Sequence, residues 1–216
     1  MIMNANISGI ILPILWRRKN YSLFTRLENE SNGAIVYYSL DWRAKSANAD
    51  FSNTESSPDL DIPWSMGIFY PDPLPEPIKC KLHPERGDKL RDVYLIDLPL
   101  FSDKFVEILT NAGIDNLQLF SAEIIDKQGV SHYNYKAVNI VGAVSCANLK
   151  ASEYLPESEP PLMCFNKLVI DVSRVRDQKL FRLAEDTSQI ILSQEIKEKI
   201  EQAGLVGFSL QPVESA

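Results

Sequence analysis

The sequence predicts an α+β fold: a mostly antiparallel sheet with a few short helices packed on it, interrupted by two long, acidic, proline-rich loops. Three observations predict it. Short apolar runs separated by Gly, Pro and Asn-Gly recur along the chain, as hairpins require. Only two segments, 102–112 and 194–203, carry apolar residues at helical spacing between a start and a stop signal. The chain also has 216 residues, 45% hydrophobic and 24% charged. A chain of this length buries roughly 70% of its unfolded surface, so it needs neither disulfide nor metal for a core. The organisation divides into an N-terminal β-rich lobe, 1–90, and a C-terminal α+β lobe, 91–216, with one domain spanning both as the alternative.

From the start, residues 7–16 are apolar apart from Ser8. The run is half the ~20 residues a bilayer span takes, Pro13 interrupts it, and Arg17, Arg18 and Lys19 follow rather than precede it. A secretory signal has the opposite charge order, so the run predicts a buried strand and a cytoplasmic protein. Residues 21–45 predict a hairpin turning at Asn32-Gly33. Residues 46–78 hold six prolines, which deny helix and central strand alike; they predict loop with short extended pieces. Residues 93–96 predict a strand. Ser102 then caps a helix with Asp103 in its first turn, Phe105, Val106, Leu109 and Ala112 form its apolar stripe, and Gly113 stops it.

Residues 117–125 and 133–141 alternate as two hairpin arms about a turn at Gly129. Residues 151–161 form the second acidic loop. Residues 168–172, 180–183 and 189–192 predict strands. Ser193 caps the second helix, Ile196, Ile200 and Ala203 stripe it, Gly204 stops it, and 208–210 predict a last strand. The two helical segments superpose at an offset of 91: Ser102 on Ser193, Phe105 on Ile196, Glu107 on Glu198, Leu109 on Ile200, Ala112-Gly113 on Ala203-Gly204, Leu119 on Leu210. Two accounts fit, an internal duplication or the common look of capped helices followed by strands.

Catalytic signals are weak. The chain has no G-x-S-x-G, no P-loop and no G-x-G-x-x-G. Cys80, Cys146 and Cys164 are far apart, and with His83 and His132 they lack the paired spacing of a zinc site. Cys146 with His132 is a conceivable nucleophile pair, though a packed thiol and a turn histidine are the more ordinary reading. Asp59 with Asp61, and Glu185 with Asp186, are carboxylate pairs of the kind that usually cap turns. The expectation is no enzyme, no cofactor and no metal.

Charge is more informative. The net charge of −7 argues against nucleic acid or an anionic membrane as partner, since both recruit clustered Lys and Arg. Residues 46–78 carry Asp50, Glu55, Asp59, Asp61, Asp72 and Glu76 with no base; 151–161 carry Glu153, Glu157 and Glu159 with no base. The two loops thus hold nine negative charges against −7 overall, which leaves the remainder at +2. The first loop also contains Phe51, Trp64, Phe69 and Tyr70. Acids interleaved with aromatics suit a protein-binding face, where charge steers a basic partner and rings anchor it. The candidate contacts are therefore Asp50, Glu55, Asp59, Asp61, Trp64, Phe69, Tyr70, Asp72 and Glu76, flanked by Glu153, Glu157 and Glu159.

The segment 92–113, and more tellingly Leu180-Phe-Arg-Leu183 followed by an apolar strand ending in Ser193, a short helix, Ala203-Gly204-Leu205, Gly207 and a final strand, resembles immunity protein family eleven of bacterial polymorphic toxin systems. The resemblance covers roughly residues 90–214. It implies an antidote encoded beside a secreted toxin, protecting the producer by binding a cognate toxin domain that acts inside the cell, nucleases among them. It carries no contact residues onto this chain. The alternatives are a small hydrolase or transferase of unknown type, or a structural subunit of a larger assembly.

Overall fold

Ser102 ends a strand and starts a helix in one residue. Its hydroxyl accepts from the Phe105 amide (3.2 Å) while donating to Asp92 Oδ1 (2.7 Å). That side-chain acceptor satisfies one of the amides a helix start leaves orphaned. The helix runs Asp103–Asn111 (α1), and Gly113 leaves it at φ 82°. The second helix, Gln194–Gln202 (α2), starts from Ser193 in the same extended conformation, but the Ser193 hydroxyl makes no capping bond and is buried without a partner.

The structure is a computed structural model, and it describes residues 37–41, 52, 54–56, 64–85, 87–95 and 98–216. The expected strand at 7–16 and the turn at Asn32-Gly33 lie outside these. The strands are β1 (Tyr37–Asp41), β2 (Thr54–Ser56), β3 (Ile78–Leu82), β4 (Val93–Tyr94), β5 (Leu100–Ser102), β6 (Leu117–Ile125), β7 (Ser131–Ile140), β8 (Ala143–Val144), β9 (Glu153–Tyr154), β10 (Phe165–Lys167), β11 (Val169–Ile170), β12 (Leu180–Leu183), β13 (Ile190–Ser193) and β14 (Ser209–Ser215). One sheet has the order β11-β14-β1-β13-β12-β8, another β2-β3-β6-β7-β5-β4, and β9 pairs with β10 alone. Among the described residues no helix is long and apolar enough to cross a membrane.

This corrects the predicted α+β class. Fourteen strands in three sheets stand against two nine-residue helices among the described residues, so the fold is mainly β. The helical signals at 102–112 and 194–203 account for both α-helices. The extra β content comes from strands of two or three residues, such as β2, β8 and β9, too short for a period-two pattern to show. Two of them, β2 and β9, lie within the stretches read as loop.

The correspondence extends into the sheets pair for pair, at the same offset of 91 for β5 with β13 and β6 with β14, and at other offsets for the strands beside them. The pair Val93↔Phe101 (β4–β5) matches Leu180↔Leu192 (β12–β13). Ser102↔Tyr135 (β5–β7) matches Ser193↔Tyr37 (β13–β1), and Ala122↔Tyr135 (β6–β7) matches Val213↔Tyr37 (β14–β1). The parallel pair Lys79↔Glu123 (β3–β6) matches Val169↔Glu214 (β11–β14). Ring pairs follow suit: Tyr94–Tyr135 at 6.1 Å and Phe181–Tyr37 at 5.9 Å. The chain therefore holds two copies of one five-stranded, one-helix unit. The strand that closes the second copy is β1, from the other end of the described chain.

The copies meet in a shared core. Val93, Phe101, Phe105, Leu109 and Val138 from the first unit lie in one buried cluster with their counterparts Leu180, Leu192, Ile196, Ile200 and Leu40. Each unit also fastens the other's helix end. Lys104 Nζ donates to Ala203 O (2.6 Å), and Lys179 Nζ donates to Ala112 O (3.1 Å), cations at the negative end of a helix dipole. The outer face of each sheet has its own cluster, around Ile78, Cys80, Ile124 and Tyr135 in the first unit and Tyr37, Ile170, Phe181 and Val213 in the second.

Candidate interaction surface

Both acidic loops lead into the same place in the repeat. The first ends at β3 and the second shortly before β11, the parallel strand of each unit. Their acids are not equally visible. Asp50, Asp59 and Asp61 lie outside the described residues, and Glu55 lies on β2. Asp72, Glu76, Glu153, Glu157 and Glu159 are all exposed. Glu76 Oε2 accepts from the Ser121 amide at 2.9 Å, and hydrogen bonding by Ser121 holds its carboxyl below the usual range. No hydrogen bond or ion pair joins the two loops among the described residues.

The aromatic candidates divide. Trp64 is 4% exposed and packs edge-on against Phe120 at 5.6 Å, within the outer cluster of the first unit. It pins the loop to the sheet. Phe69 is 60% exposed, next to Ile68 at 58% and near Met66 at 39%; Tyr70 is half-buried.

The backbone between these residues is fixed. Gly67 takes φ 65°, and its carbonyl accepts from the Gly142 amide at 2.7 Å. A Cβ at position 67 would stand 2.7 Å from Gly142 O, so only glycine allows this approach. Asn139 Nδ2 donates to Ile68 O at 2.8 Å. Gln118 holds Tyr70 at both ends, accepting its N–H at 3.0 Å and donating Nε2 to its carbonyl. Asn139 also donates to Gln118 Oε1 at 3.1 Å. Sequence reasoning missed Met66, Ile68, Gln118 and Asn139. The available signal was an Ile-Phe pair beside a glycine in a stretch otherwise polar and proline-rich.

Gly142 also lines a shallow cleft of about 680 Å³, together with Asn116, Ser145, Arg174 and Arg176. Arg174 is committed to Asp171 at 3.0 Å.

The candidate catalytic groups are placed otherwise. Cys146 is fully buried, and burial with nearby Glu185 and Asp171 pushes its thiol up to about 12, away from the thiolate a nucleophile needs. His132 Nε2 lies 2.9 Å from Asp126 Oδ2. Asp186 accepts from the Ser188 amide and hydroxyl and from Gln189 Nε2, a turn-closing role, while Glu185 Oε1 accepts from Ser145 Oγ at 2.7 Å.

Comparison with curated proteins finds no match. The family model of the immunity protein family Imm11 matches residues 21–215. That span is nearly the whole chain, and the chain belongs to this family.

Proposed function

We propose that this member of the immunity protein family is a non-enzymatic cytoplasmic antidote that neutralises one cognate toxin domain by binding it, and that the toxin is basic and nuclease-like. The observation that carries the reading is the family match across residues 21–215. The charge distribution supports the choice of partner. Nine acids without a base sit in two segments, while the rest of the chain is net positive. A protein that must hold phosphates carries the opposite charge, so the two are drawn together at long range.

Co-expression in a bacterial host with the toxin domain encoded beside this chain tests it. Survival that depends on this protein, with a stable complex on purification, is the expected result. Death regardless of the protein would overturn the reading. Cleavage of nucleic acid by the toxin domain alone, suppressed on adding this protein, is the outcome expected for a nuclease.

A further inference from the structure

We propose that Met66, Ile68 and Phe69 form a preorganised apolar anchor that inserts into an apolar hollow on the basic toxin domain. This rests on the immunity reading above and specifies the surface that reading leaves open. Three observations carry it.

The first is exposure without freedom. Ile68 and Phe69 are 58% and 60% exposed, yet the backbone carrying them is tied down on both sides. Gly142 and Asn139 hold the carbonyls of residues 67 and 68, Gln118 holds both backbone groups of Tyr70, and buried Trp64 anchors the entry. Large apolar side chains on a fixed backbone lose little conformational entropy on binding, which is how an anchor gains affinity.

The second is a difference between the two copies of the repeat. The amides that clamp the loop are the cross-strand pair Gln118↔Asn139. The matching pair in the second unit is Ser209↔Asp41. Neither residue has a side-chain amide; Ser209 Oγ donates to Asp41 O at 3.4 Å and accepts from Gln211 Nε2 at 3.3 Å. The first unit therefore carries two side-chain amides at this position, beneath its exposed apolar tip, where the second carries a serine and an aspartate.

The third is charge. The tip is followed by exposed Asp72 and Glu76, and no Lys or Arg occurs between residues 46 and 78. An apolar tip inside an all-acidic segment fits a hollow rimmed by basic groups and repels an acidic one. A second copy of this chain, net −7, is the poorer occupant.

The test uses the full chain and the toxin domain encoded beside it, with binding kinetics followed on a sensor surface and thermal melting as the fold control. Ile68→Ser with Phe69→Ala should leave melting unchanged, since both side chains face solvent. It should speed dissociation by about 30-fold or more, the effect of losing a hot spot, with association changed less than about threefold. Tight binding by the wild type and by the double variant alike would overturn the inference and leave the immunity reading standing. No binding by the wild type would overturn both. Sedimentation of the free protein gives a further outcome: a dimer abolished by the double substitution, with toxin binding intact, would assign the patch to self-association and overturn the inference.

Discussion

Arg182 provides the sharpest test of the energetics. Its side chain is 2% exposed on β12, Nη1 donates to Thr187 O at 2.8 Å, and Nε and Nη2 have no partner. Burial lowers its pKa to about 10, well below the usual guanidinium range. At about 1.4 kcal/mol for each pH unit, holding the guanidinium charged in the interior costs roughly 3 kcal/mol. Arg182→Met keeps length and apolar contact and removes that cost. It leaves the Thr187 carbonyl unpaired, a loss of roughly 1–2 kcal/mol. The expected balance is a gain of about 1–2 kcal/mol, in line with apolar replacement of other buried charges. Urea unfolding followed by tryptophan fluorescence measures it, with the midpoint rising at unchanged slope. The sign with pH follows from linkage. A base whose folded pKa lies below its unfolded one carries its penalty wherever both states hold the proton, here below pH about 10. The penalty fades only as pH climbs from there toward the higher unfolded value. The advantage of the variant should therefore be flat from about pH 6 to pH 9. A variant less stable than wild type by 1 kcal/mol or more would refute the reasoning, as would an advantage that vanishes near neutrality.

Three further outcomes are expected. Trp64→Ala should cost about 3–5 kcal/mol in the same unfolding assay, as a buried ring in a core does; a loss below about 1 kcal/mol would mean the ring contributes little packing. A thiol reagent should label Cys164 alone promptly in the native protein and all three cysteines after denaturation, because Cys80 and Cys146 are buried with their thiols pushed up to about 11 and about 12; fast native labelling of two or more thiols would contradict the burial. Reversing Asp59, Asp61 and Asp72 to Lys should slow association with the toxin domain about tenfold at low ionic strength and much less near 0.5 M salt; Glu76 is spared because its carboxylate accepts the Ser121 amide. An unchanged low-salt association rate would show the acidity to be plain solvation.

Much of the repeat was legible, and the reason is local. A serine cap, two apolar residues four apart and an Ala-Gly stop are all set by the helix itself, so 102–112 and 194–203 could be aligned from residue types alone. The structure places the helices at Asp103–Asn111 and Gln194–Gln202, the same offset of 91. Leu180–Leu183 was equally plain as a short apolar strand. The partner of β13 and β14 was not legible. Tyr37–Asp41 closes the second unit from over 150 residues away, and five residues of strand give no hint of where they dock. The mainly β class was missed for a related reason: strands of two residues, such as Ala143–Val144 and Glu153–Tyr154, exist because neighbours pair with them, not because of their own pattern.

The acidic loop shows most plainly where sequence reasoning stops. Trp64 and Phe69 stand five residues apart in the same proline-rich, acidic stretch, and composition treats them alike as anchors. The backbone separates them. Gly67 turns with a left-handed φ against Gly142, and the ring before the turn goes under, onto Phe120, while the ring after it faces outward. What decides between core and surface is thus a contact between positions 67 and 142, a strand residue at 120, and the amide pair Gln118 and Asn139. The partners at 118, 120, 139 and 142 all lie at least 48 residues along the chain from the segment they orient. The duplicated fold makes this visible in a way one unit could not. Where the two copies agree, at the helices and their shared cluster, the residues serve the scaffold. Where they differ, as at Gln118↔Asn139 against Ser209↔Asp41, the scaffold does not explain the residue. The amide pair lies under the loop that turns Ile68 and Phe69 outward, and in the proposal above it serves what that loop meets rather than what the fold must hold.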